Sequence, residues 1–290
     1  MPFQASSPQT QKNPCTRFLY RIADLITPND NRPDVHAYLD SYNCCPPPLF
    51  ILMISLAEVV TFIYYMLKLH ETPDWISGCG GCYEGKGQIG VLVFVPEKRK
   101  EAWRFLSYIL VHSGLAHILG NVLLQLIVGL PLELVHKFYR IAPLYLLGAI
   151  LGAMLQYTLD PTVMLVGASG GVYAILTAHL ANLILNWSEM PFRWVRLVVI
   201  AVYLGADWGH VVWRYFYVEE CDKVSYTAHL GGAVTGLLLG LILLKNIEKY
   251  KWERVFGYVC AALFVVIFVV LVVAVVLRKP TDEILFDSCG

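Results

Sequence analysis

The chain has 290 residues, 57% of them hydrophobic and 15% charged, and its 22 Lys and Arg balance its 22 Asp and Glu. An average soluble domain is about 25% charged, so these charges are too few to cover a water-facing surface and a membrane protein is expected. Without a basic excess the phosphate-neutralising surface of a nucleic-acid binder is missing, and the eight cysteines are too scattered in so long a chain to organise its fold.

Residues 1–48 are polar, rich in Pro, Asn and Asp, and lack the basic-then-apolar opening of a signal peptide. They read as a small cytosolic segment with helix-forming sequence around residues 16–26. Asn29-Asp30-Asn31 lacks the following Gly and closing Glu of a calcium loop. Cys44 and Cys45, just ahead of the first apolar run, are candidates for palmitoylation. Apolar runs able to cross a hydrocarbon layer of about 30 Å follow at residues 49–68, 114–134, 142–159, 168–186, 194–214, 227–244 and 255–277. The predicted fold is an all-α polytopic membrane bundle, with six core helices over residues 49–244. A cytosolic loop, a seventh helix and a short tail occupy 245–290. The seventh run is almost pure Val, Leu, Phe and Ala and reads as lipid-facing. Runs two to six carry Gly, His, Asn, Ser and Asp, which are expensive in lipid unless turned into the bundle.

Lys and Arg favour the amino-terminal side by 12 to 10, and six of those ten lie in the long first loop, where the charge rule is weak. A cytosolic amino terminus is therefore expected. Helices two, four and six then all run inward from the outer surface, which puts three polar features at one depth. Helix two opens with His112, His117 and Asn121. Helix four opens with Gly167-Ala168-Ser169-Gly170-Gly171, and helix six with Ala228-His229-Leu230-Gly231-Gly232.

His117 and Asn121, four apart, share one helix face. Ser169 sits among glycines at a helix start, where unpaired N–H groups and a positive dipole favour a developing oxyanion. A serine needs a base within hydrogen-bond reach to act as a nucleophile, and His229 is the candidate. Gly232, Gly236 and Gly240 repeat every fourth residue, the pattern that lets two helix backbones approach closely. If that face packs on the glycine-rich opening of helix four, His229 comes beside Ser169.

Gly167-Ala168-Ser169-Gly170, Ala228-His229 with Gly232, His117 with Asn121, and Trp103-Arg104 in the first loop together resemble the rhomboid intramembrane serine proteases over about residues 49–277. The seventh helix and the run Val224-Ser225-Tyr226-Thr227-Ala228-His229 are most similar to the metazoan secretase type. The resemblance implies a catalytic dyad of Ser169 and His229 and an oxyanion site of His117, Asn121 and the Ser169 N–H. It implies that Tyr173 packs on the histidine, and that Trp103, Arg104 and Glu133 hold the first loop and helix two in place. Catalytically silent relatives commonly carry Pro beside the serine, and none stands there. The implied substrates are single-pass transmembrane proteins, with precursors of growth-factor-like signals the leading class. The implied location is the lipid bilayer of the secretory pathway, at the Golgi or plasma membrane. No metal or other cofactor is implied.

The alternatives are a polytopic transporter, for which no internal repeat is visible, and a silent rhomboid-like chaperone or receptor. His70-Glu71 has no second histidine at metal-ligand spacing. Leu204-Gly205-Ala206-Asp207 has no partner motif for an aspartyl dyad. Asp207 and His210, three apart on helix five, are read as a structural pair locking it to a neighbour, with orientation of His229 the other option. Glu58 is expected to face inward, hydrogen-bonded or protonated. Cys79 and Cys82 lack further zinc ligands nearby, which leaves a disulfide, with Cys221 a possible partner. Asn186-Trp187-Ser188 has the form of a glycosylation site but falls on the cytosolic side.

Overall fold

The computed structural model describes residues 46–69, 75–76, 78–80, 82–84, 88–187, 190, 192–217, 225–245 and 251–279, together with Arg17 and Arg21. The predicted helix at 16–26, Asn29–Asn31, Cys44, Cys45, His70, Glu71 and Cys221 all fall outside this set, apart from those two arginines. Long helices stand at each of the seven predicted spans: α1 (Leu49–Leu69), α2 (Leu115–His136), α3 (Phe138–Leu159), α4 (Ser169–Leu185), α5 (Arg193–Tyr217), α6 (Tyr226–Leu243) and α7 (Lys251–Leu277). Among the described residues, α1, α2, α3, α6 and α7 are long and apolar enough to cross a membrane, and α4 is a shorter apolar helix. The molecule is an all-α polytopic membrane protein. α3 and α7 each begin four residues before the apolar run, because basic residues such as Arg140 and Arg254 continue the helix beyond its apolar part.

The core is built around α4. Small residues let α6 lie directly on it: a methyl group added at Gly232 or Gly236 would strike the carbonyl oxygens of Gly170 and Ala174 respectively, and one at Gly240 would fall 2.7 Å from the Ala181 Cβ. α3 fits the same way, with Gly152 against Ala228 and Gly148 against Ala174. α7 packs on this assembly through Cys260, Phe264, Leu271 and Val275 and leaves most of its other side chains exposed, the lipid-facing character expected of it.

α2 is interrupted at Gln125–Gly129 by one π-helical turn, just before Pro131. Proline has no N–H for the ladder and its ring crowds the preceding turn, so the widened turn absorbs the mismatch. The loop from α1 to α2 forms two short antiparallel pairings, Cys79–Gly80 with His112–Ser113 and Tyr83–Glu84 with Gln88–Ile89. Cys79 and Cys82 are joined as a disulfide. His112 is therefore in a strand rather than at the opening of helix two. Gly114, at φ 81°, separates that strand from α2.

Charged side chains fasten this loop and the helix ends. Arg104, 2% exposed, donates to the carbonyls of Gly90 at 2.7 Å and Val93 at 2.6 Å, and its Nε donates to Glu101 at 2.7 Å. Trp103 Nε1 donates to the Val91 carbonyl at 3.1 Å. Glu133 of α2 accepts the Phe50 and Ile51 N–H groups at 2.8 and 2.9 Å, and so caps the first turn of α1 with a negative charge. Replacing Arg104 with Ala leaves two buried carbonyls unpaired and is expected to cost about 2–4 kcal/mol. The measurement is thermal unfolding in mild detergent, and Arg104→Lys should recover little, since an ammonium cannot reproduce the planar fork.

Candidate active site

α2 carries His117, Asn121 and Gln125 at four-residue spacing, a polar stripe on one face. The third member was missed in the sequence because a lone Gln is an ordinary membrane-helix residue. It is fully buried, donating to Ser55 at 2.7 Å and to Glu58 at 3.2 Å while accepting the Tyr145 hydroxyl at 2.6 Å. Glu58 faces inward in this network, as expected.

The stripe leads to the opening of α4. Gly167 has φ +104°, a left-handed conformation, and a methyl there would sit 2.6 Å from the His117 ring and 3.8 Å from Asn121 Nδ2. Backbone conformation and space both demand glycine, and the fit lets Ala168 and Ser169 start α4 against the His117–Asn121 face. His117 Nδ1 accepts the Ser113 N–H at 3.4 Å, which directs a neutral ring to carry its proton on Nε2, the nitrogen beside Gly167. Asn121 uses one of its two amide protons on the His117 carbonyl at 3.1 Å. His112 lies behind, its ring 5.1 Å from that of His117. Burial, reinforced by His117, pushes its pKa down to about 3, so it stays neutral through the physiological range.

α6 completes the cluster. Ser225 caps its first turn, accepting the Ala228 N–H, and both Ser225 and Thr227 donate to Gln156 of α3. Gly232 rests on Gly170, next in sequence to Ser169, while His229 is three residues before Gly232. The Tyr173 ring stacks on His229 with centroids 4.3 Å apart and planes 14° apart. Ser169 and Tyr173, four apart, share a face of α4, so the face that bears Ser169 is the one turned toward His229. The Tyr226 ring meets His229 edge-on at 6.0 Å.

Asp207 links α5 to α4 and faces His229 of α6, and His210 stands near enough to interact with it electrostatically. Asp207 accepts the Tyr173 hydroxyl and lies 3.5 Å from His229 Nδ1, whereas the His210 ring sits 6.0 Å from that of Trp213. Asn186 is 1% exposed and donates to Asn182 Oδ1 at 2.8 Å, so its side chain is closed to glycosylation in the folded chain. No group of three or more potential metal ligands occurs among the described residues.

In this polytopic membrane bundle the glycine-rich opening of α4 meets the His117–Asn121 face of α2 at Gly167 and the start of α6 at Gly170, so that polar groups of three helices gather in one region. A model of the Rhomboid domain matches residues 99–246. The chain is 43% identical over 285 residues to Rhomboid-related protein 1 of Caenorhabditis elegans, covering 98% of this chain and 80% of that one. It is 42% identical over 240 residues to Rhomboid-related protein 2 of Mus musculus, covering 80% and 78%. It is 33% identical over 260 residues to a protein named Inactive rhomboid-related protein 2 from Caenorhabditis elegans, covering 89% and 72%. The chain belongs to the rhomboid family.

Proposed function

We propose that the protein is a serine endopeptidase that hydrolyses a peptide bond of single-pass transmembrane substrates near their outer, luminal or extracellular, membrane end. The observation that carries this reading is the stack of Tyr173 on His229 with Gly232 seated on Gly170, which draws the serine-bearing face of α4 to the histidine. Ser169 Oγ attacks the scissile carbonyl as His229 takes its proton. The resulting imidazolium then protonates the leaving amine as the C–N bond breaks, and water admitted from the outer surface hydrolyses the acyl-enzyme.

His117 Nε2–H, the second Asn121 amide proton and the Ser169 backbone N–H supply donors for the oxyanion. Gly167 and Gly232 permit the close approach, and Trp103, Arg104 and Glu133 secure the loop and the α1–α2 junction. A transmembrane helix is protected while its backbone bonds are intact, so good substrates unwind easily near their outer ends. Release of growth-factor-like ectodomains in the secretory pathway, from a chain with a cytosolic amino terminus, is the biological form of this activity. The second reading, a silent membrane chaperone or receptor, is favoured by the relative named inactive.

A fluorophosphonate probe separates the two. Its P–F bond breaks as Oγ bonds to phosphorus, so covalent label is expected on the purified chain and absent from Ser169→Ala. Equal labelling of both, or none of either, overturns the protease reading. Asn121→Ala is expected to lower kcat by about 10²–10³ without abolishing cleavage, as loss of one oxyanion donor does. An unchanged kcat removes Asn121 from that role.

A further inference from the structure

The cluster holds one charged group that the serine–histidine reading leaves unused. α5 is fastened to the bundle by Ile200, Leu197 and Leu204 beside Leu176, Leu183 and Met190. Further along α5, Tyr203 and Asp207 reach across to α4. The Tyr203 ring lies 6.5 Å from that of Tyr173, and Asp207 Oδ2 accepts the Tyr173 hydroxyl. The same Oδ2 faces His229 Nδ1 of α6 at 3.5 Å, with Asp207 28% and His229 10% exposed. That nitrogen is buried and, among the described residues, has no other hydrogen-bond partner. One carboxylate thus touches the tyrosine that stacks on the histidine and also stands before the histidine's second nitrogen.

A neutral imidazole carries one N–H, and only the tautomer with its proton on Nδ1 leaves Nε2 free to take the proton of a serine. A buried Nδ1–H needs an acceptor, and among the described residues the Asp207 carboxylate is the group in reach. We propose that Asp207 is a positioning residue for His229. Its carboxylate, anchored by the Tyr173 hydroxyl, accepts Nδ1–H, holds the ring in the reactive tautomer and faces the positive charge that develops on it.

At 3.5 Å the contact is longer than a good hydrogen bond. Closure of about half an ångström brings it into range, in keeping with catalytic hydrogen bonds that tighten only when substrate is bound. The protons balance without Asp207 changing state: the serine proton moves to Nε2, the Nδ1 proton stays on the ring, and the amine leaves with the Nε2 proton. The inference rests on the proposed Ser169–His229 dyad.

Asp207→Asn, Asp207→Glu and Tyr173→Phe separate this role from helix packing, since the Asn carboxamide can still accept from Tyr173 but carries no charge. With purified full-length chain and a single-pass substrate, Asp207→Asn is expected to lower kcat about 10²-fold, with KM within about twofold of the parent. Asp207→Glu should recover most of the loss, and Tyr173→Phe should give a smaller one. A parent-like kcat in Asp207→Asn overturns the proposal, as does a loss that Asp207→Glu does not relieve or one borne mainly by KM. Should Asp207→Asn fail to accumulate, a parent-like kcat in Tyr173→Phe or a fully inactive Asp207→Glu overturns it. Fluorophosphonate labelling keeps the two failures apart. A parent chain that takes no label at Ser169 sinks the dyad, whereas one that labels while Asp207→Asn labels equally fast sinks only the role of Asp207.

Discussion

Ser169→Ala, co-expressed with a panel of single-pass substrates, is expected to release no ectodomain, and His229→Ala likewise, with both variants reaching the membrane at parental levels. In the proposed mechanism the first change removes the atom that forms the acyl bond and the second removes the base that makes a hydroxyl nucleophilic, so each should cost about 10⁴-fold or more in kcat. Groups that act in one step are strongly non-additive, so the double variant should be no worse than either single one. Expression should hold, because Ser169 starts a helix without providing a side-chain cap and an Ala on the half-buried face of α4 leaves no unpaired buried group. Product release that survives both substitutions would refute the assignment.

Gly232→Val is expected to destabilise the fold strongly. The Cβ it introduces would overlap the Gly170 carbonyl oxygen and lie 2.9 Å from its carbon and 3.1 Å from its Cα. These are backbone atoms in a helix and cannot rotate aside, so α4 and α6 must separate, at an expected cost of about 3–5 kcal/mol. The same separation would pull apart the proposed Ser169–His229 dyad, so activity should fall even in the fraction that stays folded. Gly205 and Gly209 on α5 provide the control. A methyl at either meets nothing within 4 Å, and Ala there should be neutral or slightly stabilising through its better helix propensity. Thermal unfolding in mild detergent reads the ranking. A Gly232→Val chain as stable as Gly205→Ala would show that α6 does not rest on α4 in this way.

The helices were legible because a polar side chain in lipid is costly, so the apolar runs mark where the chain can lie in the bilayer; the fifth run forms a helix, but α5 is not among the described helices long and apolar enough to cross a membrane. The same cost made His117, Asn121, Ser169 and His229 conspicuous, and the Gly232–Gly236–Gly240 spacing pointed to the face of α6 that meets α4. His112 was misassigned to a helix because its strand partner, Gly80, lies in a distant part of the loop and its separation from α2 depends on the conformation of Gly114. Gln125 was passed over because its partners Ser55, Glu58 and Tyr145 come from α1 and α3. Spacing along α5 brought Asp207 and His210 together, but which neighbours Asp207 meets, Tyr173 on α4 and His229 on α6, depends on the packing of three helices.

Local sequence determined which segments are helical, which carry polar groups that lipid will not tolerate, and which glycines permit close contact, since these are properties of a residue and its neighbours within a turn or two. The resemblance implied that Tyr173 packs on His229, but only the tertiary structure decided that the two rings lie nearly parallel, that Glu133 caps α1 and that Gln125 joins Ser55, Glu58 and Tyr145. Those outcomes depend on the rotation and depth of one helix against another, which are set by side-chain packing across the whole bundle.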